Sequence, residues 1–258
     1  ADGPASSRHQ HFDQQALFAP LARGAARLTP ETGAADLARL IELAVSAPEG
    51  PVICELTGAD AGKPGDASSG SMARRTAAPD HADLSAAEAL IKKSKRPVLI
   101  VGLEARRHSA AVRRFANGLK GLILSTYKGS GVIPTGHPMF VGPFTGAAGE
   151  KKLIADADLV ILAGADSIEF IPGKFSFDAP VLALLEFATA DKRITPAGIV
   201  TGVLDQTLSA LSKHLGAGDW PDGSAAQRRA MVMAAHRPSG KFFDTAAAVI
   251  AAAERMPA

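Results

Sequence analysis

Uninterrupted apolar runs recur along the middle of the chain at intervals that leave room for one helix each. Pro97 to Leu103, Leu122 to Ser125, Leu159 to Ala163, Val181 to Glu186 and the short Ile199 to Thr201 read as strands. Between and around them, helical spacing predicts helices over Ser85 to Ser94, Ser109 to Asn117, Glu150 to Asp156 and Asp205 to His214, with Ser85 and Glu88 at capping-box spacing. A Gly-rich loop fills the interval between Ser125 and Glu150. Strands that do not alternate apolar with polar positions are covered on both faces. The pattern therefore predicts an α/β fold, a three-layer sandwich around a parallel sheet.

Ahead of this region the pattern is different. Asp36, Leu37, Leu40, Ile41, Ala44 and Val45 recur at helical spacing, Pro48-Glu49-Gly50-Pro51 breaks the helix, and Val52 to Leu56 reads as a strand. A helix turned tightly into a strand is half of a βαβ crossover, so this segment reads as the αβ remnant of a second α/β domain whose other strands are missing. Gly58 to Asp80, rich in Gly, Ala, Ser, Pro and Asp and without periodicity, reads as a linker. Beyond Gly216 come a loop at Trp220-Pro221-Asp222-Gly223, an Ala-rich helix with Arg228 and Arg229, and a last helix from Asp244 to Arg255. With no initiator Met and no strand after the last helix, both ends read as cut in mid-architecture, as in a processed chain or an excised fragment.

Composition narrows the function classes. Of 258 residues 47% are hydrophobic and 21% charged, the balance of an ordinary globular protein, and the net charge is +2 with signs interspersed. Nothing here favours nucleic acid or an anionic membrane as partner. No apolar stretch reaches the length of a membrane span and no signal pattern opens the chain. Cys54 is the sole cysteine, which removes a disulfide framework and a cysteine zinc site and points to a reducing, cytoplasmic compartment. Its place inside Pro51 to Leu56 predicts a buried core thiol.

Candidate chemistry gathers at strand ends. A dinucleotide turn needs Gly at three positions, and Gly102-Leu103-Glu104-Ala105-Arg106-Arg107 supplies only the first, with a carboxylate where pyrophosphate would lie. Tyr127-Lys128-Gly129-Ser130-Gly131 is more permissive. Its backbone N–H groups and Lys128 suit a phosphate, and equally a strand-to-loop bend with a solvated Lys. Gly102, Thr126, Lys128 and Gly129 are the candidate cofactor-binding residues. Asp166 stands at a strand end and could accept from a ribose hydroxyl, whereas His137, before Pro138, reads as structural. No hydrolase elbow and no zinc helix occurs, so no catalytic residue and no metal ligand is assigned.

Taken in order, Lys95-Arg96-Pro97-Val98, the loop from Ser125-Thr126 to His137-Pro138, and Ala157-Asp158-Leu159-Val160 resemble the central domain of thiamine-diphosphate enzymes of the acetolactate synthase and benzoylformate decarboxylase type. Upstream, Arg8 to Gln14 and Ala19 to Arg23 resemble the end of that family's pyrimidine-binding domain. His9 and Gln10 stand there for the family's aromatic-Gln pair, which makes them candidate substrate-entrance residues. Glu49-Gly50-Pro51-Val52 is similar to the family's Pro-Gly-Pro-Val element.

The resemblance implies residues 1–60 as the end of a pyrimidine-binding domain, 61–83 as linker and 84–216 as the central domain. Residues 217–258 then form a helical connector toward a missing pyrophosphate-binding domain. It implies a fragment of an enzyme that decarboxylates or ligates 2-oxo acids, with the central domain structural and this stretch inert alone. Thiamine diphosphate and Mg²⁺ would serve the intact enzyme, although the family's Gly-Asp-Gly does not occur here and the sole Asn is Asn117. The partners implied are the remainder of the same enzyme and further copies, in a homodimer or homotetramer. Flavin-binding members carry a Gly-rich turn and an Arg where this chain has Leu103-Glu104 and Asp166, and the family's Asp-x-Asp is here Leu185-Glu186-Phe187, which argues against FAD. The alternative is a stand-alone nucleotide-binding α/β module with a regulatory or scaffolding role.

Overall fold

The computed structural model describes residues 12–46, 49–65, 83–170, 177–187, 193–235 and 244–255. His9 and Gln10 lie outside them. The chain divides into two units, Ala1–Ala78 and Pro79–Ala258.

In the first unit, α1 (Gln14–Phe18) precedes β1 (Ala25–Arg27), α2 (Gly33–Val45), β2 (Ile53–Glu55) and the short α3 (Gly58–Ala61). β1 pairs with β2 in parallel, Ala26 opposite Cys54. The crossover is thus a whole βαβ unit, and the expectation that no partner strand for β2 is present is corrected. The partner was hidden because Ala25-Ala26-Arg27 carries no β-branched or aromatic residue. Arg23 fastens the end of α2 by donating to the carbonyl oxygens of Leu43 and Ser46. Cys54 is exposed rather than buried, because in so short a strand its side chain falls on the open face.

The second unit begins with α4 (Ser85–Lys93) and β3 (Pro97–Val101), then a 3₁₀ turn over Glu104–His108 that runs into α5 (Ser109–Leu119). β4 (Leu122–Ser125) and β5 (Phe140–Pro143) follow. A 3₁₀ segment, Ala148–Leu153, leads to β6 (Leu159–Ala163). After a one-turn 3₁₀ element at Ser167–Glu169 come β7 (Val181–Leu185), β8 (Gly198–Thr201), α6 (Leu204–Ser212), α7 (Ser224–Ala235) and α8 (Thr245–Ala253). The six strands form one sheet in the order β5-β4-β3-β6-β7-β8, every neighbouring pair parallel. The expected α/β fold is present.

Both faces are dry, as the unbroken apolar runs require. Leu99, Val101, Ile123, Ile161, Leu182 and Leu184 turn to one face, where Phe115 of α5, Leu208 and Leu211 of α6 and Ile91 of α4 cover them. Val98, Ile100, Leu122, Leu124, Val160 and Leu162 turn to the other, against Phe144, Leu153, Ile154, Phe170 and Ala225 of α7. On that face Phe144 meets Phe170 edge-on and stacks against Phe177, with centroids 5.9 and 6.1 Å apart.

Polar ties set how the layers are joined. Asp158, just before β6, accepts from Lys95 N, Arg96 N and the Ser94 hydroxyl, and so welds the start of β6 to the start of β3. On α7, Arg228 donates to the carbonyl oxygens of Leu153 and Ala155 at 3.1 and 2.9 Å, and its guanidinium lies 4.8 Å from the Trp220 ring centre. Trp220 Nε1 in turn donates to Pro97 O at 2.9 Å.

Three further expectations are corrected. β5 was expected to be loop. Its Gly142 and Pro143 disguise a strand that sits at the sheet edge, where Pro is tolerated, and a register shift separates Ile123 from Leu124 opposite it. Ser85 is the first residue of α4 and not its cap: Leu84 holds the cap position without a side-chain hydrogen bond, and Asp83 before it accepts from Ser85 N at 2.9 Å. The helix expected over Glu150 to Asp156 is the 3₁₀ segment Ala148–Leu153. Among the described residues no helix is long and apolar enough to cross a membrane.

Phe144 is fully buried and anchors the aromatic trio. Phe144→Ala is expected to lower unfolding stability by about 3–5 kcal/mol, measured by urea denaturation at unchanged secondary structure.

Candidate functional site

The chain leaves β3 toward β4 and β5, then returns to the opposite side of β3 as β6. Open parallel sheets bind ligands at such a reversal, outside the carboxyl ends of the two strands. Here that position lies between the residues after β3, from Gly102, and those after β6, from Gly164.

The two exits touch backbone to backbone. A Cβ on Gly102 would stand 2.2 Å from Ala165 Cα and 2.4 Å from Gly164 O, so no larger residue fits. Gly164 has φ +59 and lies against Ala105 N in the same way. Gly102 N donates to Ala163 O and Glu104 N to Gly164 O, each at 3.0 Å. Gly129, after β4, completes the closure, since a Cβ there would meet Val101 O at 2.2 Å.

In the middle stands Glu169, 2% exposed. Its Oε1 accepts from Asp166 N at 3.0 Å, Leu103 N lies 3.1 Å from both carboxylate oxygens, and its Oε2 accepts from the Thr126 hydroxyl at 2.6 Å. The Thr126 hydroxyl is oriented by Gly129 N, which donates to it at 3.0 Å. Of the residues singled out from sequence, Gly102, Thr126 and Gly129 therefore come together around one point, and the Glu169 carboxylate holds that point. Lys128 does not join them. Its ammonium lies 6.0 Å from the centre of the exposed Tyr127 ring.

Asp166 caps the 3₁₀ turn by accepting from Ile168 N, and with Glu169 at the third position it closes a capping box. The Asp-Ser-Ile-Glu spacing was the sequence signal by which Glu169 could have been found. His137 sits in the turn before β5. Its Nδ1 accepts from Met139 N and its Nε2 lies 3.0 Å from Asn117 Oδ1, while burial lowers its pKa.

A second polar chain runs from this point toward α6. Glu104 Oε2 accepts from Glu186 N at 2.8 Å, Glu186 Oε1 is 2.7 Å from His108 Nε2, and His108 Nδ1 is 3.2 Å from Asp205 Oδ1. That last approach is close enough for an ion pair but lacks hydrogen-bond direction. Burial pushes the Glu104 carboxyl up to about 7; the Glu186 N–H opposes the rise, and the carboxylates of Glu186, Asp166 and Glu169 add to it.

A carboxyl with a raised folded-state pKa stabilises the fold below its unfolded value, and that stability is lost as pH rises through the folded value. Between about pH 4.5 and 7 the protein should therefore lose stability relative to Glu104→Gln, with a slope of at most about 1.4 kcal/mol per pH unit. Parallel denaturation curves across that range check it. Gly102→Ala should be more damaging than any single contact loss here, since the new methyl meets main chain, and a cost of about 3 kcal/mol or more is expected in the same assay.

The donor set at the sheet end is unsuited to thiamine diphosphate with Mg²⁺, which needs several free oxygen ligands. Among the described residues no group of three or more His, Cys, Asp or Glu side chains could hold a metal ion. The carboxylate at the centre already accepts from its own chain.

Residues 84–211 match the family model for the central domain of thiamine pyrophosphate enzymes. Pyruvate decarboxylase isozyme 2 of Saccharomyces cerevisiae is 30% identical over 103 residues, which is 38% of this chain and 18% of that protein. The acetolactate synthase isozyme 2 large subunit of Escherichia coli is 27% identical over 157 residues, 57% of this chain and 28% of that one. The crystal structure of benzoylformate decarboxylase from Polynucleobacter necessarius has the same fold, with a TM-score of 0.63 at 20% identity over 79% of this chain and 40% of that one. The chain thus spans well under half the length of each. By the match of the family model, residues 84–211 are a central domain of the thiamine pyrophosphate enzyme family.

Proposed function

We propose that this chain works within a thiamine diphosphate-dependent enzyme that decarboxylates or ligates 2-oxo acids, and that its central domain is structural. The observation that carries the proposal is the placing of the ordered sequence elements. Lys95 and Arg96 lead into β3 (Pro97–Val101), Thr126 to Pro138 is the loop leaving its neighbour β4, and Ala157 and Asp158 lead into β6 (Leu159–Ala163). The residues so placed fall within the stretch that matches the family's central domain.

On this reading residues 1–60 belong to the pyrimidine-binding domain, 61–83 link it to the central domain at 84–216, and 217–258 lead toward a pyrophosphate-binding domain. The βαβ unit formed by β1, α2 and β2 suits the first assignment. Mg²⁺ and thiamine diphosphate are held elsewhere in the enzyme, which acts in the cytoplasm as a homodimer or homotetramer. His9 and Gln10 lie near its substrate entrance. The central domain then separates and orients the domains that carry the cofactor, and the chemistry is the cofactor's own.

The test compares the complete polypeptide encoded around this chain with residues 1–258 alone. Expected is CO₂ release from pyruvate or benzoylformate by the complete polypeptide only, abolished when thiamine diphosphate is withheld. Turnover by the 258-residue chain unaided, or no thiamine diphosphate dependence on any 2-oxo acid tried, would overturn the proposal.

A further inference from the structure

We propose that Glu169 is the resident ligand of an anion cradle at the switch point, its carboxylate standing where a nucleotide phosphate would otherwise bind. The inference concerns the central domain itself and stands apart from the reaction of the whole enzyme.

The cradle is assembled from three strand ends. Leu103 N follows β3, the Thr126 hydroxyl follows β4 and Asp166 N follows β6, so the carboxylate lies over β3 and between its two neighbours. Each of these groups donates. Such a set of converging donors at the carboxyl end of a parallel sheet is what an anion requires. The cradle is fixed from behind: Gly129 N sets the Thr126 hydroxyl, and the Asp166 capping box sets the turn that carries Glu169. Thr126 is fully buried and Glu169 is 2% exposed, so removing the carboxylate leaves the Thr126 hydroxyl without its acceptor inside the fold.

A charge-assisted hydrogen bond to a carboxylate has about twice the strength of a neutral one. An external phosphate would have to displace an occupant that is tethered to the same turn and carries no cost of association. It would also approach Glu104 and Asp166, which face the same sheet end. Nucleotides are thereby kept out of a crevice whose topology otherwise invites them. The ligand class that fits the cradle once Glu169 is gone is a small carboxylate or phosphate-sized anion.

Glu169→Ala, Glu169→Gln and the unaltered chain are to be melted in chloride, formate and inorganic phosphate at matched ionic strength, and the unaltered chain titrated calorimetrically with ADP and FAD. Glu169→Ala is expected to melt well below the unaltered chain in chloride. It should recover roughly half of that loss in formate at about tenfold its Kd, while the unaltered chain does not respond. Recovery in phosphate as well would widen the class of anion and support the cradle equally. Absence of recovery in both anions overturns the proposal, and so does binding of ADP or FAD to the unaltered chain at Thr126 and Gly129, mapped by hydrogen-exchange protection. If Glu169→Ala folds in neither anion, Glu169→Gln decides. Its volume is nearly unchanged, but its amide nitrogen faces donors, so a melting temperature equal to that of the unaltered chain overturns the proposal and a marked loss upholds it.

Discussion

Everything at the ligand-facing end of the sheet depends on one steric fact, that the backbone leaving β3 and the backbone leaving β6 are in van der Waals contact. Two glycines without Cβ atoms permit it, and no other residue type at position 102 would. In most sheets of this topology the two chains diverge at that point and leave a crevice. Here they close. The N–H groups that close contact leaves pointing inward need an acceptor that the chain must itself supply, and Glu169 supplies it. Glu104, Glu186 and Asp166 gather at the same end, and the Glu104 pKa is raised first by burial and then by these neighbouring carboxylates.

The fold was legible because a parallel sheet buried on both faces writes itself as unbroken runs such as Leu159 to Ala163. β3, β4, β6, β7 and β8 could all be read in this way. β1 and β5 could not, because one is built of Ala and Arg and the other contains Gly142 and Pro143. Their pairing is imposed by neighbours rather than by local preference. At the site, Gly102, Thr126 and Gly129 were visible as residues gathered at strand ends. Glu169 is not legible in the same way, since a single glutamate after a strand has no local mark of burial. Its partner Leu103 lies 66 residues away in sequence. Only the capping-box spacing from Asp166 hinted at it. Cys54 shows the converse error: an apolar neighbourhood in sequence suggested burial, and a three-residue strand left the thiol outside.

Under the proposed function, a closed domain of this kind has a use: a sheet whose ends are tied shut would give a stiff spacer between cofactor-bearing domains. The same closure removes the ordering step that an open nucleotide crevice would undergo on binding, so the stiffness does not wait for a ligand.

The clamp that Arg228 places on the second layer has a different kind of consequence. Its donors reach main-chain oxygens of Leu153 and Ala155, and its guanidinium rests on Trp220. Because carbonyl oxygens are the same whatever side chain a residue carries, the clamp is blind to the identity of the residues it grips. The segment before β6 can accumulate substitutions at its outward positions while α7 stays seated. Arg228 and Trp220, by contrast, have no such latitude, so sequence freedom on one side of the joint is set against fixity on the other.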